Sequence, residues 1–306
     1  MDLQVIFLGT AGSIPTTQRA LPAIAIRREN ELILFDCGEG AQRQMIRAKV
    51  GFHKKTKILI THMHGDHVLG LPGLLQTMAL LGREQELEIY GPTGIQAFIN
   101  AVEETVQFTR TFPMNIKEIT EEGPICEERE YAIQAAKASH VVDAFAYALV
   151  EKPRPGRFQK EKARRLGVPK GPLWSKLQHG DSIELPSKKT VKPEDVLGKP
   201  RAGRKVVYTG DTRPAKALIT LAKGADLLIH EATLGDELKD RATVDGHSTP
   251  SEAAKTAKRA NVKRLILTHL SARYKSSETL LKQARKIFKD SDVAEDFMRI
   301  ELKQSS

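Results

Sequence analysis

The segment Thr61-His62-Met63-His64-Gly65-Asp66-His67 constrains this chain more than any other. It follows the apolar run Lys57 to Ile60 directly, so four candidate metal ligands stand within six residues at the end of a buried-type strand. In extended backbone, residues two apart face the same side. His62 and His64 can therefore present imidazoles to one ion, while the turn through Gly65 swings Asp66 and His67 elsewhere, so the segment can serve two metals. Imidazole with carboxylate suits zinc or a similar borderline divalent ion, and positions left open for water mark a catalytic site. Four residues cannot complete two ions, so further His or Asp residues must stand at other strand ends. The sequence supplies His140 after Tyr131 to Ser139, Asp211 after Val206-Val207-Tyr208-Thr209-Gly210, and His269 after Arg264 to Thr268. An Asp can bridge two ions, and ions about 3.5–4 Å apart stabilise both the attacking and the leaving oxygen of a phosphoryl displacement.

Short runs rich in Val, Ile and Leu alternate with helical patterns along the chain. The strands expected are 4–10, 23–28, 32–37, 57–61, 87–90, 131–139, 144–151, 205–209, 226–229 and 263–268. The helices expected are 40–49, 67–81, 94–106, 214–223, 250–260 and 277–288, with Thr249 before Pro250 and Ser276 before Ser277 as N-cap signals. Strands before helices in both halves imply layered sheets with helices outside. The strands Lys57 to Thr61 and Lys263 to Thr268 both run into Thr-His, which predicts two halves facing a shared cleft.

The chain has 306 residues, 40% of them hydrophobic, enough for one large α/β domain or two ordinary ones. Cys37 and Cys126 are the only cysteines and form no C-x-x-C pair, which excludes a disulfide framework and fits a reducing cytoplasm. The opening Met1-Asp2-Leu3-Gln4-Val5-Ile6 reads as a strand start without a signal-type core, and no apolar run approaches the roughly 20 residues that span a bilayer. A cytoplasmic protein with no membrane partner is expected. The net charge of +10 favours a polyanionic partner. Between Glu151 and Gly180, nine basic residues face two acidic ones, in a stretch rich in Pro and Gly with little periodicity. This stretch, extended to 202, reads as an inserted arm and not as core. Beside a nuclease-like site it would clamp backbone phosphates through Arg154, Arg157, Lys160, Lys162, Arg164, Arg165 and Lys170, recognising folded RNA by shape.

The run Thr61 to His67, with Ser139-His140, Tyr208-Thr209-Gly210-Asp211-Thr212 and Thr268-His269-Leu270-Ser271-x-Arg273-Tyr274, resembles ribonuclease Z, the transfer-RNA 3′-processing endonuclease of the metallo-β-lactamase superfamily. Phe7 to Thr10, Phe35-Asp36-Cys37-Gly38-Glu39, His230-Glu231-Ala232-Thr233 and His247-Ser248-Thr249 extend the resemblance over nearly the whole chain. It implies a four-layer αββα sandwich in one domain, 1–306, with the basic arm protruding at 151–202. It also implies two Zn²⁺ per subunit, with Mn²⁺ or Co²⁺ possible. His62, His64 and His140 would hold one ion, Asp66, His67 and His269 the other, and Asp211 would bridge them. Asp66 is the implied proton acceptor, and His247, oriented by Glu231, the implied proton donor to the departing 3′ oxygen. Gly171-Pro172 resembles the arm segment that grips the elbow of precursor tRNA, and Trp174 would either stack on a base or anchor the arm. A homodimer is implied as well. One loop departs from the pattern: Pro15-Thr16-Thr17-Gln18-Arg19-Ala20 lacks the Lys and Asn of the bacterial Pro-x-Lys-x-Arg-Asn associated with rejecting CCA ends, which leaves the cleavage position open. A small-ester hydrolase on the same scaffold, such as an arylsulfatase or a cyclic-nucleotide phosphodiesterase, and a non-catalytic RNA-binding protein are the alternatives.

Overall fold

The protein is described by a computed structural model covering residues 3–304. It divides into two compact units, one of residues 3–150 with Lys205–Lys303, the other chiefly Glu151–Arg204.

The larger unit holds two seven-stranded sheets. One runs in the order Arg299–Leu302, Leu3–Gly9, Ala23–Arg28, Glu31–Phe35, Lys55–Leu59, Leu87–Gly91, Met114–Glu118. The other runs Ser291–Val293, Leu265–Thr268, Leu227–Glu231, Lys205–Tyr208, Phe145–Glu151, Tyr131–Lys137, Gly123–Glu127. Alternation along each strand divides its apolar side chains between two faces. Val5, Phe7, Ile33, Phe35 and Leu59 meet Tyr147, Tyr208, Ile229 and Ile266 between the sheets. The opposite faces are covered by helices. Ile6, Leu34 and Ile58 pack under Met45, Leu74, Leu75 and Ile99. Val207, Leu228 and Leu267 pack under Leu218, Ala253, Ala257 and Leu280. The result is the expected αββα order of layers.

Every expected strand forms, most with ends moved by one to three residues. Helix Pro250–Ala260 starts as expected, with Thr249 accepting a hydrogen bond from the Glu252 amide. The single helix expected over 67–81 is instead two, Gly65–Val68 and Leu71–Leu80. Gly70 breaks it: its amide donates to the Cys37 carbonyl, and a Cβ there would stand 2.0 Å from the Gly38 carbonyl oxygen, so the chain must turn where two backbones touch. Strands Met114–Glu118, Gly123–Glu127, Ser291–Val293 and Arg299–Leu302 were not anticipated. They lie at or next to sheet edges, where half-exposed residues leave little alternation to read.

The smaller unit is more ordered than its composition suggests. It contains helices Lys160–Arg165, Pro172–His179 and Pro193–Val196 and the hairpin Ile183–Glu184 with Thr190–Val191. Ala163, Val168, Leu177, Ile183, Leu185, Val191 and Val196 form its own buried cluster. Trp174 takes the anchoring role, donating from Nε1 to the Val168 carbonyl at 3.1 Å and packing on Phe158. Among the described residues no helix is long and apolar enough to cross a membrane.

Candidate metal centre

The chemistry-bearing residues stand at the carboxyl ends of the central strands, where the chain leaves the sheets and side chains are free to converge. Asp36 follows Glu31–Phe35, His62 follows Lys55–Leu59, Asp211 follows Lys205–Tyr208, Glu231 ends Leu227–Glu231, and His269 follows Leu265–Thr268. The two Thr-His strand ends do face one cleft, with His67 Nε2 3.2 Å from His269 Nε2.

Three groups of ligand-type atoms lie together: His62, His64, His140 and Asp211; Asp66, His67 and His269; and Asp211, His247 and His269. Asp211 belongs to the first and the third, and its carboxylate also lies 3.4 Å from His67 Nε2 and 3.3 Å from His269 Nε2 of the second. In the first group His62 Nε2 lies 3.0 Å from His64 Nδ1, which lies 3.3 Å from His140 Nε2. In the second, Asp66 Oδ2 is 3.5 Å from His67 Nε2 and 3.3 Å from His269 Nε2. Ligands bound at about 2.0–2.1 Å to a tetrahedral ion stand about 3.3 Å apart, so these spacings fit a cation at the middle of each group.

The outer hydrogen bonds point the same way. His67 donates from Nδ1 to Asp36 at 2.7 Å, His140 from Nδ1 to the Gly246 carbonyl at 2.9 Å, and His269 from Nδ1 to the Thr233 hydroxyl at 2.8 Å. With those nitrogens occupied, the Nε2 atoms keep lone pairs that converge on one another, which only a cation satisfies. Asp211 Oδ1 is buried without a well-formed hydrogen bond, although His269 Nε2 lies 3.3 Å away. Burial, then the charge of His67, pushes His62 well below the usual imidazole range. Against burial, His269 and His67 hold Asp211 well below the carboxylate range, and the closeness of His269 and His67 does the same for Asp66. Asp211 and Asp36, again against burial, raise His67 well above the usual imidazole range, so a divalent ion bound here would displace a proton from His67.

A family model described as the anti-Pycsar protein Apyc1 matches residues 3–151, and one described as a beta-lactamase superfamily domain matches residues 176–270. The chain is 46% identical over 301 residues to a ribonuclease Z of Methanosarcina acetivorans, with 98% of each chain covered. It is 48% identical to a ribonuclease Z of Methanothermobacter thermautotrophicus, covering 98% of this chain and 97% of the relative. The crystal structure of the human tRNase Z short form superposes with a TM-score of 0.72 at 31% identity, covering 97% of this chain and 98% of the other. The chain belongs to the ribonuclease Z family. It is accordingly a metal-dependent endoribonuclease, a phosphodiester hydrolase, on a metallo-β-lactamase fold.

In this chain Glu231 and His247 meet, with His247 Nδ1 3.1 Å from Glu231 Oε1. Glu231 is fully buried and pinned by the amides of Thr212, Ser248 and Thr233. Burial alone would lower His247, but the charge and hydrogen bond of Glu231 outweigh it and raise the imidazole to about 9. Of the arm residues, Arg157, Lys160, Lys162, Arg164, Arg165, Lys170, Gly171 and Pro172 are exposed and Arg154 is partly covered, while Arg164 is paired with Glu161.

Four positions that support the site were not singled out from the sequence. Asp36 is fully buried and accepts from the Thr61 amide and hydroxyl, His67 and Tyr208. The Thr233 hydroxyl donates to Glu231 at 2.7 Å, so one carboxylate orients both His247 and, through Thr233, His269. Arg213 grips Glu252 with two nitrogens and also donates to the His247 carbonyl at 2.5 Å. The Ser13 amide donates to Asp66 Oδ2 at 2.8 Å. Asp36 and Thr233 lie inside motifs quoted above, which was their only signal. Asp36 and His269 adopt φ of 56° and 58°, left-handed backbone that a side chain tolerates only when its surroundings impose it.

Proposed function

We propose that this chain removes the 3′ trailer from precursor tRNA by zinc-dependent phosphodiester hydrolysis, leaving a 3′-hydroxyl on the tRNA. What carries the reading is the combination of 46–48% identity over nearly the whole chain to proteins called ribonuclease Z with eight ligand-type residues, His247 among them, gathered in one cleft.

His62, His64 and His140 would hold one ion, Asp66, His67 and His269 the other, with Asp211 shared. Two bound zinc ions supply Lewis acidity toward the phosphate oxygens and lower the pKa of water toward about 7; Mn²⁺ or Co²⁺ would suit the same donors. The residues do the rest. Asp66 Oδ2, kept ionised and aimed by the Ser13 amide, accepts the proton of the attacking water. The water oxygen bonds to phosphorus as the bond to the 3′ oxygen breaks. His247, with Nδ1 committed to Glu231, has Nε2 available to protonate that oxygen. The cations from Arg154 to Lys170, with Gly171 and Pro172, hold the tRNA by its backbone. The enzyme acts as a homodimer in the cytoplasm.

The test is cleavage of a trailer-bearing tRNA precursor, in transcripts with and without encoded CCA, mapped to the nucleotide for wild type and Asp66→Ala. One metal-dependent cut near the acceptor end, lost in the variant, is expected. No specific cut by fully metallated wild type transfers the site to a small-ester hydrolase. The CCA pair also shows what the loop Pro15 to Ala20 does, where Arg19 is spent on the Thr10 hydroxyl and the Ala294 carbonyl.

A further inference from the structure

Nine large hydrophobic side chains are exposed among the described residues, and five of them border the metal centre: Ile14, Leu69, Val141, Val142 and Val244. Ile14 follows Ser13, whose amide holds Asp66. Leu69 lies two residues beyond His67 and covers Gly65, where a Cβ would stand 3.0 Å from Leu69 Cδ1. Val141 and Val142 follow His140, and Val141 Cγ1 lies 3.0 Å from the Cβ position of Gly246, next to His247. Val244 is 78% exposed and three residues before His247.

Single exposed aliphatics need no explanation, but five on the loops that carry the site residues do. Around these side chains, residues 11–18, 62–82, 138–150 and 242–254 contain neither Lys nor Arg. Besides the fully buried His67, the one cation these stretches bring is the partly buried His247 of the centre itself. What the exposed aliphatics among them add is apolar surface.

Resting on the reading of the site as an RNA-cleaving one, we propose that this apolar collar holds the unpaired nucleobases on either side of the bond to be cut. A phosphodiester that reaches the metal centre carries a nucleoside on each side, and an unstacked base presents a flat apolar face to any surface beside it. The charged groups of the centre engage the phosphate while the collar desolvates its neighbours, which holds the scissile bond in place whatever the bases are. The collar is continuous with the ligand-bearing loops, so bound nucleotides pass over it on entering and on leaving the site.

The test uses Ile14→Ser/Val244→Ser, the two most exposed members, on intact precursor tRNA and on precursors with an abasic nucleotide at each side of the mapped cut. Each RNA value is normalised to bis(p-nitrophenyl) phosphate turnover by the same preparation, which corrects for damage to the centre. The double variant is expected to raise KM for intact RNA about tenfold, within the range found when a base loses its stacking partner. Its slope of log KM against log salt stays that of wild type, because apolar surfaces release no counterions. The abasic substrate raises the wild-type KM similarly, and the variant adds no further loss on it. Ile14→Val/Val244→Ile restores the wild-type value. A normalised KM within about twofold of wild type overturns the proposal. So do effects of variant and abasic substrate that multiply. A change of oligomeric state by light scattering that accounts for the loss also overturns it and assigns the collar to a second copy of the chain. If wild type fails to cut intact precursor, the RNA reading falls, and that is seen before any variant is compared.

Discussion

The metal centre and the basic unit Glu151–Arg204 are built on opposite principles. In the centre, His62, His67, Asp211, Glu231 and His269 are almost completely buried, and a further shell of hydrogen bonds aims them. In the basic unit, the cations stand in solvent on short helices supported by one small apolar cluster. Geometry matters at the centre, where a ligand displaced by an ångström no longer binds. Charge matters in the arm, where long side chains can follow a phosphate backbone without being fixed. On the proposed reading, the comparison says where each kind of damage should be felt: substitution at the centre should remove chemistry, and substitution in the arm should remove affinity.

The largest break comes from Asp211→Asn, which leaves both candidate ion groups short of a charge. RNA cleavage should fall about 10³-fold or more, with metal content by elemental analysis falling too. Retained metal and near-normal cleavage would show that Asp211 is not shared. His247→Ala should slow RNA cleavage about 10²–10⁴-fold yet slow hydrolysis of p-nitrophenyl esters far less, because that leaving group needs no proton. Equal losses on both substrates would make His247 structural. The pH profile sharpens this. With the imidazole raised to about 9, the donor form is lost as pH rises through that value, so wild-type RNA cleavage should decline there and the variant's should not. For stability the sign is the same: the Glu231–His247 contribution is complete below about 6.5 and disappears as pH rises through about 9.

Effects in the arm should be smaller and depend on salt. Changing Lys160, Lys162, Arg165 and Lys170 to Gln should weaken precursor binding and flatten the slope of log affinity against log salt by about 0.7–0.9 for each phosphate no longer neutralised. An unchanged slope would exclude the arm from phosphate binding. Leu177→Ala, in the small apolar cluster, should cost about 2–5 kcal/mol of local stability. Hydrogen exchange should rise within Glu151–Arg204 and stay the same around His62 and His269; a rise in both would show that the two units unfold together.

The sequence by itself determined the seven ligand-type residues and the strands that carry them. Donor chemistry belongs to residue types, and a buried strand is written in local alternation that needs no distant partner. His62, His64, Asp66 and His67 lie within one short segment, and His140, Asp211 and His269 each follow a readable strand. Other features had no local signature. In the range 67–81, Pro72 lacks the N–H to continue a helix from Val68 and so allows a break, but the turn itself is fixed by the close approach of Gly70 to the Cys37–Gly38 backbone. The arm's apolar residues have no helical or strand period, so their cluster exists only after the chain has folded back on itself. The partners that aim the site are long-range too: Tyr208 and Asp36 are 172 residues apart, and Ser13 and Asp66 are 53 apart. A hydrogen bond acts over about 3 Å of space and is indifferent to distance along the chain. Ligand identity was therefore local information, and ligand orientation was decided by tertiary structure.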